Sequence, residues 1–484
     1  MKVRYLNEIL DRNAVSGRPD IPPIPVNGIE YDSRRVEKGS LFVAISGFTK
    51  DGHTFLNDVY QKGAVAAIVE KMDGRIPLPQ FRVDNSREIM ARVSSNFYSA
   101  EIKKMRLIGI TGTNGKTTTS FLVKSVLEAA GLRSGLIGTI HYDIAGNVTK
   151  AWNTTPESAD ICKFLYMMSQ GGQTGCVLEV SSHGLMLNRV DGLAFEAGVF
   201  TNLTQDHLDF HIDMESYYEA KKRLFSHLKP GGSAVINTGD PYGKRIADSV
   251  EHDLIDFSIG DIDASVQAGD WQSSLKGLDL MVKTPLGPVE IHSPLIGDFN
   301  VENILAAVAT GLALKFDLKT IRRGIESVPG IPGRLQPIPV SGDRTVVIDY
   351  SHTPDALKKA LLVLQRISTK KLWVVFGCGG DRDKAKRPLM GKIACDIADR
   401  IIVTSDNPRT EDPQLIIQAI IKGLTMDKRV HIEPDRKTAI CFALEQAAAG
   451  DTILVAGKGH EDYQEIAGKR YPFDDRKIVE GFFQ

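Results

Sequence analysis

Seven consecutive residues, Gly112, Thr113, Asn114, Gly115, Lys116, Thr117 and Thr118, carry the clearest chemistry in the chain. Backbone N–H groups of such a glycine loop can wrap a polyphosphate, a lysine can reach its terminal phosphates, and a threonine hydroxyl can hold Mg²⁺. Ile110 stands where the fuller pattern has its first glycine, with Gly109 one place off, so the loop reads as a shortened variant. Further on, Glu179 ends the run CVLE, and Asp206, His207, Asp209 and His211 crowd one short segment. That cluster reads either as a second cation site or as a solvated polar loop. Lys221 and Lys222 are adjacent, so they face different ways on a helix and read as surface lysines on chemistry alone.

These residues need elements to position them. The apolar run Leu107 to Ile110 before the loop and the amphipathic segment Phe121 to Ala130 after it predict strand, loop, helix. From 105 to 331 the alternation continues, with strands expected at 135–140, 176–184 and 197–202, and a helix over 217–225. Ligand groups in open α/β sheets gather at the carboxyl ends of strands, where Glu179 lies. Residues 1–104 read as a small α/β unit with strands at 40–45 and 64–69, a helix over 53–61 and a loop at the Pro-rich 21–26. Within it, YDSRRV (31–36) is either a ligand contact or a charged turn. Residues 253–295 read as a β-rich edge, followed by a strongly apolar helix with Asn300 and Asn303 on one face at its start, as caps or as readers of a base edge. VPGIPGR (328–334) reads as a linker.

Beyond it, TVVIDY, LWVVFG, IIVTSD and TILVAG predict four buried strands, each followed by a loop rich in Arg, Lys, His and carboxylates. Such a rim suits a charged, zwitterionic substrate. The fold class is therefore α/β in three domains: 1–104, a small N-terminal α/β domain; 105–331, a parallel-sheet ATP-binding domain; and 332–484, a Rossmann-like domain.

Composition sets outer limits. With 484 residues the chain suits about three domains. Lys and Arg number 59 against 60 Asp and Glu, so no global field draws it to nucleic acid. Five scattered cysteines lack metal-ligand spacing and fit reduced thiols. The charged N-terminus and the lack of a long apolar run predict a soluble, cytoplasmic protein without membrane insertion.

Taken together, GTNGKTT, EVSSH, TNLTQDHLDFH, the AK of Ala220 and Lys221, the asparagine pair of GDFNVENILAA, PGR (332–334) and DYSHTPD resemble the Mur ligases of bacterial peptidoglycan synthesis. The resemblance runs in order over essentially the whole chain. The run FGCGGDRDKAKRP and the motif DNPR look most like the branch that adds meso-2,6-diaminopimelate to UDP-N-acetylmuramoyl-L-alanyl-D-glutamate.

The resemblance implies an ATP-dependent amide ligase of cell-wall biogenesis, and through it of cell shape and division, acting as a monomer. It implies a uridine-binding first domain, a central ATPase and a third domain that brings the amino acid. Lys116 would contact the β and γ phosphates; Thr117 and Glu179 would hold one Mg²⁺ and His207 a second. Lys221 would be carbamylated by CO₂, which reverses its reading as a surface lysine. Asn303, Arg334 and His352 match nucleotide contacts, with Arg334 at a hinge whose closure excludes water. Ser33, Phe48, Thr49, Lys50, Asn153, Thr154, Thr155, Ser181 and Arg189 match contacts to the nucleotide sugar peptide. Leu187 departs from a family glutamine. Arg382, Asp406, Asn407, Pro408, Arg409, Gly457 and Glu461 match the diaminopimelate contacts.

Three rivals remain at this stage. The lysine-adding ligase of the same fold lacks the arginine of DNPR. Folylpolyglutamate synthetase lacks the first domain. A P-loop switch without ligase chemistry would give no reason for the loops after residue 335.

Overall fold

In the computed structural model, which describes residues 3–17, 20–47, 50–206, 210–261, 263–340, 343–425, 427 and 429–483, the chain forms two compact units. The first comprises Met1–Gln267 with Leu305–Gly324, and the second Ala268–Ile304 with Ile325–Gln484.

The first domain is a parallel sheet of Gly28–Glu30, Ser40–Val43, Ala66–Val69 and Gln80–Arg82, in that spatial order. Side chains alternate across a strand. Leu41, Val43, Ala66 and Ile68 therefore enter one core and Phe42, Ala67 and Val69 the other. Both faces are covered, which is why the strands read as unbroken apolar runs. The expected helix over 53–61 is a 3₁₀ turn, Gly52–Phe55, followed by the helix Leu56–Gln61, and the Asp51 side chain caps the turn at His53 N. Within the Pro-rich segment, Pro25–Val26 pairs with Arg4–Tyr5 as a short edge strand, a position that tolerates proline.

The same unit contains the central sheet. Arg106–Thr111 lies between Gly175–Glu179 and Phe195–Phe200, with Ser134–Ile137 outside the former and Leu228–Asn237 and Asp253–Ser258 outside the latter, all parallel. Gly109 belongs to the strand's packing and not to the loop: a Cβ there would meet Leu224 Cδ1 at 2.9 Å and the Phe195 ring at 3.1 Å. The strand expected at 135–140 stops at Ile137 because Thr139 N turns to the Glu179 carboxylate. The strand expected over 176–184 ends at Glu179, since Ser181 caps a short helix, Ser182–Met186, by accepting from Gly184 N. The helix expected at 217–225 is Met214–Lys222, capped by Asp213, and then 3₁₀ over Arg223–His227.

In the second unit, Gly277–Lys283 and Val289–Ser293 form an antiparallel hairpin, as the turn-rich edge predicts. A six-stranded sheet follows in the order Gln336–Ile338, Thr345–Asp349, Thr452–Ala456, Leu372–Phe376, Arg400–Val403, Val430–Ile432. Every pair except the first is parallel. Helices Pro354–Ile367, Lys386–Ile397 and Pro413–Ile421 pack with Val347, Val374 and Leu454, while Arg436–Gln446 packs with Val346, Val375 and Ile453 on the opposite face. Chain order reverses along the sheet, so the four polar loops emerge at one carboxyl edge. Beneath them Arg436 and Asp475 form a fully buried bidentate pair, with Arg436 also donating to Ala456 O.

Candidate active site

The glycine loop joins the central strand to the helix Lys116–Ala129. Gly115 has φ +84°, a left-handed conformation that glycine adopts without strain. At Gly112 a Cβ would sit 1.9 Å from Thr201 Oγ1, so only glycine lets the loop close on the neighbouring strand end. That neighbour clamps the loop: Thr113 N donates to Asn202 O at 2.8 Å, Asn114 N to Asn202 Oδ1 at 2.9 Å, and Thr201 Oγ1 to Asn114 O at 2.6 Å. Lys116 Nζ folds over the loop onto Gly112 O at 2.8 Å and Thr113 O at 3.0 Å. Thr118, in the helix's first turn, is buried.

Glu179 is buried at the adjacent strand end, and its carboxylate collects hydroxyls. Thr117 Oγ1 donates to Oε2 at 3.0 Å, Thr139 Oγ1 to Oε2 at 2.8 Å, and Thr139 N to Oε1 at 3.0 Å. Gly138 makes the approach possible, since a Cβ there would be 2.3 Å from Oε1. One carboxylate with convergent hydroxyl oxygens beside the glycine loop is the kind of hard-oxygen donor set that Mg²⁺ prefers.

Lys221 is a correction to its reading as a surface lysine. It is 1% exposed, donates to Gly112 O at 2.8 Å and lies 4.6 Å from the Tyr217 ring centroid. Burial, reinforced by the Lys116 ammonium, pushes its pKa well below the ordinary lysine value, against the opposing pull of Asp206. Lys222, one step round the helix, is only half-buried. Tyr217 OH lies 3.2 Å from Thr113 Oγ1 and stacks near His211, whose Nε2 is 2.8 Å from Ser182 Oγ. His211 is thus committed to packing. Among the described residues no three His, Cys, Asp or Glu side chains converge as a cation site. His207, Phe48 and Thr49 lie outside the described residues.

The presumed peptide contacts are linked to this cluster through Glu179. Thr155 Oγ1 donates to Glu179 O at 2.8 Å and accepts from Ser181 N at 2.9 Å, and Thr154 Oγ1 is 3.1 Å from Thr139 Oγ1. Asn153 is fixed through its backbone by Tyr142 OH. Arg189 donates to Thr155 O at 2.8 Å and to Glu157 Oε1 at 2.8 Å, and the same oxygen takes Arg87 at 2.7 Å. Sequence reasoning missed Glu157 and Thr139; both flank quoted motifs, but nothing in their spacing marks them. Leu187 is half-buried at the end of the helix Ser182–Met186. Lys50 is exposed, and Ser33 O accepts from Lys62. Within YDSRRV, Tyr31 OH and Arg35 reach Asp160 at 2.5 and 2.8 Å, so those two side chains tie the first domain to the central one.

The second unit holds the remaining residues. Asn303 Nδ2 donates to Asn300 Oδ1, and Asn300 Nδ2 to Ile296 O, each at 2.8 Å. Arg334 lies over the Tyr350 ring, and His352 Nδ1 is 2.8 Å from Tyr350 O. The four strand-end loops interlock. Arg409, at φ +51°, donates to Gly380 O at 2.6 Å, and a Cβ on Gly380 would lie 1.9 Å from Pro408 O. Gly457 leaves room for Asp406, whose Oδ2 would be 2.4 Å from a Cβ there. Asn407 Nδ2 donates to Glu461 Oε2 at 2.8 Å. Arg382 is exposed on the loop of Gly379 and Gly380. A hairpin absent from the sequence reading, Tyr463–Ile466 with Lys469–Pro472, supports Arg409 through Glu465 O. Its signal was the Ala467-Gly468 pair, both at positive φ, between two polar-aromatic runs.

Residues 25–98 match the Mur ligase family catalytic domain, 110–311 the Mur ligase middle domain and 333–459 the Mur ligase glutamate ligase domain. The chain is 42% identical to the UDP-N-acetylmuramoyl-L-alanyl-D-glutamate–2,6-diaminopimelate ligase of Geobacter metallireducens, covering 95% of this chain and 94% of that protein. It is 42% identical to the ligase of the same name from Gloeobacter violaceus, covering 99% and 97%. A solved structure bearing that ligase name superposes with a TM-score of 0.72 at 37% identity, covering 96% of each chain.

The depressed pKa of Lys221 has a measurable consequence. Between its folded value and the ordinary 10.5 the unfolded chain binds the extra proton, so the term erodes stability as pH falls. In CO₂-free buffer, the Tm of Lys221→Met relative to the unsubstituted protein is expected to improve as the pH falls below about 10. A difference independent of pH would contradict a neutral buried amine.

Proposed function

The chain belongs to the Mur ligase family, and we propose that it joins meso-2,6-diaminopimelate to UDP-N-acetylmuramoyl-L-alanyl-D-glutamate at the expense of ATP. The observation that carries the amino-acid assignment is the interlocked rim, in which Arg409 is held on Gly380 O, Asn407 joins Glu461, and Asp406 packs against Gly457.

A carboxylate is a poor acyl donor because oxide would have to leave. Its oxygen first attacks the γ-phosphorus of ATP, ADP departs, and an acyl phosphate results. The amine of the incoming amino acid then adds to the acyl carbon, loses its proton, and phosphate leaves as the amide forms. Lys116 and the loop N–H groups other than those of Thr113 and Asn114, which Asn202 engages, hold the phosphates. Thr117 and Glu179 are the residues that would hold Mg²⁺, which supplies charge neutralisation between an anionic nucleophile and the γ-phosphate. A second Mg²⁺ is assigned to His207. Arg189, positioned by Glu157, orients the peptide together with Thr154, Thr155 and Ser181. Asn303, Arg334 and His352 are assigned to the nucleotide. The proposed domain boundaries at 104 and 331 fall between the matched segments 25–98, 110–311 and 333–459, and the protein is read as a cytoplasmic monomer. Among the described residues no helix is long and apolar enough to cross a membrane.

Lys221 is assigned as the carbamate. Only a neutral amine attacks CO₂, forming the C–N bond and releasing one proton, and the burial that lowers the Lys221 pKa favours that neutral form. The product is an anion next to Lys116, where an ammonium would be repelled. Lys221→Ala should abolish ligation, and short carboxylic acids should restore part of it; no rescue would count against the carbamate.

Diaminopimelate presents an ammonium and a second carboxylate where lysine presents an ammonium alone. Paired hydrogen bonds from Arg409 suit that carboxylate, and lysine would leave the guanidinium unmatched at a cost of about 1 to 3 kcal/mol. Phosphate release from ATP and the UDP-muramoyl dipeptide should therefore require an amino acid, favour diaminopimelate strongly over lysine, and lose that preference in Arg409→Ala. Equal rates with lysine would remove the substrate assignment in favour of a lysine-adding ligase.

A further inference from the structure

Lys458 follows Gly457 in the GKGHED loop and is fully buried. Its ammonium donates to Asn407 Oδ1 at 3.1 Å and to Glu461 Oε2 at 3.2 Å, and lies 5.4 Å from the Tyr463 ring centroid. Asn407 Oδ1 also accepts from Glu465 N at 3.0 Å, so two donors fix its oxygen and turn Nδ2 toward Glu461. Glu461 Oε2 consequently receives both Lys458 and Asn407. Burying an ammonium is expensive, and packing alone at this position would be met by methionine or leucine. The charge is there for its neighbours.

Resting on the diaminopimelate reading, we propose that Lys458 is a specificity-determining positioning residue. It neutralises Glu461 and orients Asn407, so that the rim accepts an amino-acid end carrying a carboxylate with its ammonium and rejects an ammonium alone. Were Glu461 unmatched, it would attract the side-chain ammonium of lysine as readily as that of diaminopimelate. With Lys458 in place, a bare ammonium meets a carboxylate already shared and the Lys458 charge beside it. The distal end of diaminopimelate is zwitterionic, so its carboxylate offsets that charge.

The test is steady-state phosphate release by the full chain with ATP, the UDP-muramoyl dipeptide and either amino acid, for the unsubstituted protein, Lys458→Met and Lys458→Gln. Both substitutions should lower the ratio of kcat/KM for diaminopimelate over lysine by about tenfold or more, chiefly through KM. Adding Glu461→Gln to Lys458→Met should cost less than the sum of the two changes, because Lys458 acts through Glu461. Lys458→Gln keeps a donor for Asn407 and provides the readout if Lys458→Met fails to fold, as judged by Tm. A ratio unchanged within about twofold, with kcat lowered equally for both amino acids, would overturn the inference and leave a structural lysine. An unsubstituted protein that uses lysine as well as diaminopimelate would instead remove the reading on which the inference stands.

Discussion

Two lysine nitrogens, those of Lys116 and Lys221, donate to the one carbonyl oxygen of Gly112. Burial disfavours the charged form and the two ammonium groups repel, more severely at Lys221, which is 1% exposed, than at half-buried Lys116. Both effects lower the Lys221 pKa. Much of the surrounding structure exists to keep this pair together. Gly112 lacks the Cβ that would push the loop off Thr201, Tyr217 lies over one amine, and Thr201 and Asn202 clamp the loop that presents the carbonyl. A glycine loop with a lysine of lowered pKa held against it differs from one flanked by two ordinary lysines.

The carboxylate side of the first unit is built by the same logic. Glu179 stays buried because hydroxyl and backbone donors surround it, and Gly138 opens the space for them. Its backbone carbonyl in turn takes Thr155, so the segment assigned to the peptide and the segment assigned to the cation share one residue. The second unit solves a related problem with opposite signs. Its rim mixes cations and carboxylates, with Arg409 on Gly380 O and Lys458 on Glu461, and its loops pack closely at Gly380 and Gly457, where backbones and side chains touch.

Most strands and the strand-loop-helix of Gly112 to Thr118 were legible in the sequence, because buried parallel strands are apolar on both faces and glycine loops have few alternatives. The four loops after residue 335 were legible as a charged rim for the same reason. Chemistry alone misjudged Lys221: adjacency to Lys222 shows that the two point apart, but not which one enters the core. The deciding information is three-dimensional, the position of Gly112 O and Tyr217. Tyr31 and Arg35 were ambiguous because a turn rich in charge can bind a ligand or a neighbouring helix, and Asp160 lies far away in sequence. Glu157, Thr139 and Lys458 escaped notice because their roles come from long-range partners.

The central claim is that the glycine loop delivers the γ-phosphate to a carboxylate, which leaves as an acyl phosphate before an amine displaces it. The most direct measurement labels the accepting glutamyl carboxylate of the UDP-muramoyl dipeptide with oxygen-18 and follows the label during ligation of diaminopimelate. One labelled oxygen should appear in the phosphate released for each amide formed. Phosphate free of the label, with ligation proceeding, would contradict the account.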